Sequence, residues 1–431
     1  MILKFQFLGL FLLTIFANIL IAINMQYTAQ AYHSINSPNF YNIQLFIVII
    51  FLSLLSFLLI VNSEKNPSSI IGGVLFFTVL VPFFYFLHLE NNFSFENFYF
   101  HLILVLFSFY LFKMIADSKI KISFIRTINF QPIFLEYFLF VFMLFGCFLL
   151  IYSFGEAMSF GFFDIYDRRI ETQTEFSQNR FLNYYNSLFA GLMVPFAAIY
   201  AAARDKYIFF FLSIFSSVIC FGAFGGKGVL LSPFLAFFFT KFFLLLNLNG
   251  YKFLLICITI FCIFCLIEIF LISTGFLNLY FFRRIFYVPA KLSFWYFDYF
   301  SNNPLFYMSD SIFGQFFTSN SPDYDKARTI GGNYLGNYQS HANSNIWSSA
   351  YADFGFIGIP IFSMLAGLIT KFINEVYKIK QSIIIIVYSF FVGLVWAQTS
   401  LNTSLLSNGI FFGILLMLFV PKEKNLKKLE T

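Results

Sequence analysis

Charge is what this sequence has least of. Of its 431 residues only 11% are charged, whereas 60% are hydrophobic and the mean hydropathy is +0.81. A globular chain carries about 25% charged residues, so polar side chains are too few to coat the two or three water-facing domains that length alone would allow. A soluble enzyme, a disordered chain and a nucleic-acid-binding protein are excluded together. Cysteine is scarce too: the five (Cys147, Cys220, Cys257, Cys262 and Cys265) all lie in apolar runs. They read as small buried hydrophobes, and no Cys/His group has zinc-ligand spacing, which argues against a disulfide framework or a structural metal. Also missing are a Walker A loop, a Gly-x-Ser-x-Gly elbow, a His-Glu-x-x-His pair, internal repeats and low-complexity tracts. Asp-x-Asp occurs once, as Asp323-Tyr324-Asp325. What is present in excess is Phe, with 72 copies, used as a bulk apolar residue.

A helix needs about 20 mostly apolar residues to cross a bilayer. Twelve runs qualify: 5–24, 43–61, 70–88, 99–116, 132–154, 183–203, 207–224, 229–248, 253–275, 347–371, 383–400 and 403–420. The predicted fold is all-α: a polytopic membrane protein of about twelve transmembrane helices, one integral membrane domain over 1–431. Ala29-Gln30-Ala31 has the look of a signal-peptidase site, but the apolar stretch before it is longer than a usual signal core and reads as a transmembrane helix.

Lys and Arg predict the sidedness. With the N-terminus in the cytoplasm and the spans alternating, nine of the 26 basic residues fall outside: Arg168, Arg169, Arg180, Lys227, Arg283, Arg284, Lys291, Lys326 and Arg328. The rest lie in short cytoplasmic segments, as the positive-inside rule asks. Both termini are then cytoplasmic. Trp295, Trp347 and Trp396 fall near outer helix ends, where interfacial anchors are expected. Two long external loops stand apart, 155–182 and 276–346, rich in Phe, Tyr and Asn and therefore expected to be ordered.

Chemistry is expected on that face. Basic residues at a membrane interface suit a phosphate or pyrophosphate, which guanidinium groups bind bidentately; pairing with Asp164, Asp167, Glu171, Glu175, Asp323 and Asp325 is the plain alternative. Lys227 lies in Gly225-Gly226-Lys227-Gly228 at the start of a helix, a place that favours an anion, although a snorkelling anchor reads the same way. His341, the only histidine of the second loop, has the neutral-range pKa of a general base. Glu136 and Glu268 lie inside apolar helices, where a charge needs a partner or a proton.

Three stretches together resemble the O-antigen polymerase (Wzy) family and its relatives, the O-antigen ligases. They are Gly225-Gly226-Lys227-Gly228; Arg283-Arg284-Ile-Phe-Tyr with Asn303-Pro304-Leu305-Phe306 and Gly314 downstream; and His341-Ala-Asn-Ser-Asn345 leading into Asp353-Phe-Gly355-Phe-Ile-Gly358. The resemblance implies a GT-C-like, metal- and cofactor-independent glycosyltransferase in the bacterial inner membrane, with its site facing the periplasm. It would transfer a glycan from undecaprenyl pyrophosphate to the hydroxyl of a second lipid-linked repeat unit, with membrane lipid around it and a chain-length regulator as partner. It implies pyrophosphate contacts from Arg284, Lys227, Arg169, Arg180 and Arg328. His341 would be base or acceptor orienter, Asn343 and Asn345 would hold sugar hydroxyls, and the Trp295 ring would stack on a sugar. A ligase using the same donor and a lipid-linked repeat-unit flippase are the alternatives.

Overall fold

The computed structural model describes residues 2–33, 43–60, 66–89, 98–119, 131–155, 158–161, 180–246, 249–272, 275–311, 314 and 323–422. Among them every regular element is a helix. Where described, the twelve apolar runs lie mainly in helix. Among the described residues nine helical stretches are long and apolar enough to cross a membrane, and three more, Phe46–Phe57, Phe100–Ala116 and Ile383–Trp396, are apolar but shorter.

The helix Pro132–Phe154 shows why such sequences fold this way. Leu135, Leu139, Met143, Gly146, Leu150 and Phe154 recur at three- or four-residue spacing and are buried. Tyr137, Val141, Phe145, Phe148 and Tyr152 recur at the same spacing on another face and are exposed. A water-soluble helix would carry charge on that second face; one that is apolar all round belongs in hydrocarbon.

The chain divides into two compact units. The first comprises Met1–Ile120, Asn249–Asn374 and Phe390–Asn402, the second Lys121–Leu248, Glu375–Ser389 and Thr403–Thr431. At the centre of the first runs Pro67–Leu87, wholly buried. Its start is tied by side chains: Ser68 Oγ donates to Asp117 Oδ1 at 2.6 Å, and Asn374 Oδ1 accepts from the Ser68 N–H at 3.0 Å. Asp117 also pairs with buried Lys113 at 3.0 Å, and Lys371 donates to the Ser118 carbonyl. Another polar group joins the helix Ile2–His33 to later chain: Thr28 Oγ1 donates to Asn278 Oδ1 at 2.8 Å, and Asn278 Nδ2 to Asn24 Oδ1 at 3.2 Å. Glu268 is buried, its two oxygens accepting the N–H groups of Phe276 and Leu277 at 2.6 and 2.5 Å. A carboxylate is thus settled in an apolar setting by the positive end of the helical run that follows it.

In the second unit Glu136 accepts from the Tyr200 hydroxyl at 2.8 Å and from Lys206 Nζ at 3.5 Å. Of the 155–182 segment only 155, 158–161 and 180–182 are described; Ser159 N–H bonds the Gly222 carbonyl at 3.1 Å.

Two expectations about tryptophan are corrected. Trp347 and Trp396 are 1% and 0% exposed, so neither is an interfacial anchor. Trp347 Nε1 donates to Ser363 Oγ at 2.7 Å, and Trp396 lies edge-on to Phe112. Both have been drawn inward because the ring contacts and, for Trp347, the indole N–H are satisfied inside the first unit. All five cysteines are free and four are buried.

Candidate functional site

Where described, the segment 276–346 contains a π-helical run Asn278–Tyr287, then the helix Val288–Asn302, and later Lys326–Leu335. The π-helical run buries Asn278, Phe282, Phe286 and Tyr287, with Phe282 and Phe286 stacked at 4.7 Å. That anchored face leaves Arg284 exposed, and among the described residues it makes no ion pair. Arg283, one residue earlier, is half-buried.

The short helix Lys326–Leu335 is capped by Asp325, whose Oδ1 accepts the Arg328 N–H at 2.7 Å. An Asp at this position satisfies an N–H that the helix leaves free. The cap also brings three predicted groups together. Arg328 Nε donates to His341 Nε2 at 3.2 Å, while Asp325 Oδ2 lies 3.8 Å from both Arg328 Nε and His341 Nδ1. The proton of the imidazole therefore belongs on Nδ1, facing the carboxylate, with Nε2 as acceptor. Burial, together with the Arg328 charge and against the pull of Asp325, holds the His341 pKa below the ordinary histidine value. Ala342, next in sequence, is fixed on both sides: its N–H bonds the Ala327 carbonyl and its own carbonyl accepts the Tyr296 hydroxyl, each at 3.1 Å.

One residue away from Asp325, Lys326 turns inward. Its Nζ lies 2.7 and 2.6 Å from the two oxygens of Asp353 and 3.4 Å from Asp310. Burial alone would lower the lysine pKa; the two carboxylates outweigh it and raise it. This cluster sits where the helix Ile346–Lys380 breaks, at Phe354 (φ −135°, ψ 18°) and Gly355 (φ 60°, ψ −146°). A residue with a Cβ is strained in that second conformation. At Gly358 a Cβ would stand 2.2 Å from the Ala350 carbonyl oxygen, so glycine lets the chain close across the break. The carbonyls of Ala352 and Asp353 accept the N–H groups of Phe306 and Tyr307 at 2.9 and 3.0 Å.

The remaining expectations divide. Asn343 is exposed beside His341. Asn345 is not available to a sugar: it is 1% exposed, its Oδ1 accepts the N–H groups of Trp347 and Ser348 at 2.9 and 3.2 Å, and its Nδ2 donates to Ser293 at 2.6 Å. It is the cap of the next helix. Trp295 is half-buried. Tyr334 stacks on it at 5.0 Å and Lys291 Nζ lies 4.9 Å over the ring. Lys326, one of the nine cations expected on the outer side, is buried in the cluster with Asp353. Lys227 begins the helix Lys227–Leu246 just after Gly225 (φ 66°), and Arg180 begins Arg180–Leu188; both belong to the second unit. Arg169 lies outside the described residues.

The Lys326–Asp353–Asp310 cluster is what sequence reasoning missed. Its signal was Asp353 itself, a carboxylate within an apolar run that demands a partner.

Compared with protein-family models, with curated proteins and with solved structures, the chain matches none of them. What its helices define is a class, an all-helical multi-pass membrane protein.

Proposed function

We propose that this protein is a membrane glycosyltransferase that polymerises lipid-linked oligosaccharide repeat units into a surface polysaccharide, such as O-antigen, at the outer face of the inner membrane. The observation that carries the reading is the His341–Arg328–Asp325 group in the same long segment as the exposed cation Arg284. A neutral imidazole accepts a proton; an exposed guanidinium binds a departing pyrophosphate. In the proposed step the acceptor hydroxyl gives its proton to His341 Nε2 while its oxygen forms a bond to the anomeric carbon of the donor. The bond from that carbon to the phosphate oxygen breaks, and the undecaprenyl pyrophosphate leaves with the electron pair. Arg284 neutralises the charge that develops on it, an electrostatic contribution that needs no proton transfer. Asn343 is a further candidate, for a sugar hydroxyl. The sequence resemblance and the basic residues of the external loops support the choice of a glycan pyrophosphate donor.

A proton-coupled flippase would want an intramembrane carboxylate free to take up and release protons, and Glu268 has both oxygens engaged by backbone N–H groups. The deciding experiment is deletion of the gene followed by gel analysis of surface polysaccharide. Polymerase loss leaves single repeats on the acceptor core; ligase loss leaves none, with polymer retained on the lipid carrier. An unchanged polysaccharide pattern would sink the reading. A reporter fused at residue 320 that reads as cytoplasmic would overturn the outward-facing site.

A further inference from the structure

His341 Nε2 is the atom a general base would use, and here it is already occupied. A neutral imidazole has a single lone pair, on the nitrogen without a proton. Arg328 Nε donates into it at 3.2 Å. The other nitrogen is no substitute, because Asp325 Oδ2 lies 3.8 Å from Nδ1 and a carboxylate favours N–H there. We infer that Arg328 is a mask on the base, removed when the pyrophosphate of the donor draws the guanidinium away. The inference rests on the glycosyltransferase reading above and adds regulation to it.

Among the described residues, the two charged groups that face His341 are unequally held. Asp325 is fixed as the helix cap, and its neighbour Lys326 is locked into the buried pair with Asp353. The Arg328 side chain is 42% exposed and its carboxylate neighbour lies 3.8 Å away, too far for a hydrogen bond. Its exposed fork is tethered only weakly. A pyrophosphate offers that fork two parallel charge-assisted bonds, where a neutral imidazole offers one neutral acceptor. The exchange therefore runs toward the anion. Once it has happened, Nε2 is open to the acceptor hydroxyl, and the Asp325 carboxylate still favours the proton on Nδ1. An enzyme with no donor has no free base, so a water or acceptor arriving alone meets a blocked nitrogen. Donor arrival and base activation become one event.

The test reads the imidazole directly. The full chain, with ¹³C-labelled histidine and in lipid nanodiscs, is titrated by NMR, the His341 signal being assigned with His341→Gln. Inorganic pyrophosphate is the probe and chloride at equal ionic strength the control. In wild type, pyrophosphate should move the His341 midpoint upward, because withdrawing Arg328 removes one of the causes that hold it down. Arg328→Gln, which keeps the cap bond to its backbone N–H, should start from the raised midpoint and respond far less. In turnover, kcat reports the bound enzyme and kcat/KM the free one, so the acid limb of kcat should lie at higher pH in wild type and the two limbs should coincide in Arg328→Gln. A wild-type midpoint indifferent to saturating pyrophosphate, or an Arg328→Gln midpoint equal to wild type, would overturn the mask. Failure of the glycosyltransferase reading shows elsewhere, in an unaltered polysaccharide gel after gene deletion, so the two failures are told apart.

Discussion

Asp325 and Lys326 are neighbours in sequence, yet they serve clusters of opposite character. The Asp325 side chain is 37% exposed and shares loose contacts of 3.8 Å with Arg328 and His341. The Lys326 side chain is 9% exposed and sits 2.6 Å from a carboxylate that is wholly buried. The difference separates charge used for building from charge used for chemistry. Where water is excluded an ion pair must be complete, since one partner left alone carries a large penalty. Where water reaches, each group keeps some freedom to change partners, and each contact is worth little.

The largest effect should come from breaking the buried pair. Asp353→Asn or Lys326→Met leaves a charge without its main partner and should destabilise the first unit by about 3–5 kcal/mol, seen as a lower melting temperature in detergent. The apolar double variant Lys326→Met/Asp353→Leu should recover only part of that loss, because Asp310 then loses its own partner. If the single variants melt like wild type, the cluster is not a structural anchor. Arg284→Ala comes next, with a rate loss of about 10² to 10³ from one missing electrostatic contact and little change in melting. Arg284→Lys should restore part of the rate, and Arg283→Ala should keep more activity than Arg284→Ala. A stable Arg284→Ala enzyme that polymerises normally would remove Arg284 from the site.

Smaller still is Gly355→Ala, which forces a Cβ into a conformation worth about 1–3 kcal/mol of strain. It should lower the melting temperature without changing the pH profile. The smallest effect concerns pH. A base acts unprotonated, so kcat/KM should rise with pH through the His341 midpoint and then level off. Because burial and Arg328 hold that midpoint down, the rise should fall on the acid side of 6.5. Asp325→Asn still caps the helix but loses the charge that raises the midpoint, so the limb should move further toward acid. A limb that stays in place would mean Asp325 does not govern the ring.

The helices were legible in the sequence because burial in lipid asks only for length and apolarity, and runs such as 132–154 and 207–224 satisfy both. The partners of polar groups were less so. His341 and Arg328 could be nominated one by one, but that one bonds the other follows from a helix cap at Asp325 and a return of the chain to Ala327. Asn345 looked like a sugar contact because an exposed loop and a buried cap use the same amide. Trp347 and Trp396 stand near helix ends in sequence, and hydropathy carries no record of which side of a helix faces neighbours. Lys326 and Asp353 are 27 residues apart, a pairing that no local pattern announces.

The break at Phe354–Gly355 has a consequence for hydrogen exchange. It turns the carbonyls of Ala352 and Asp353 toward other donors, and the N–H groups of Phe306 and Tyr307 fill the place. Those two amides lie in a stretch with no regular helix, yet they are protected only while the broken helix and the Lys326–Asp353 pair stay whole. Deuterium should enter them by the same opening that releases the long helix, not by the quick fraying of an ordinary surface loop. Two loop amides thus report on the integrity of a membrane helix.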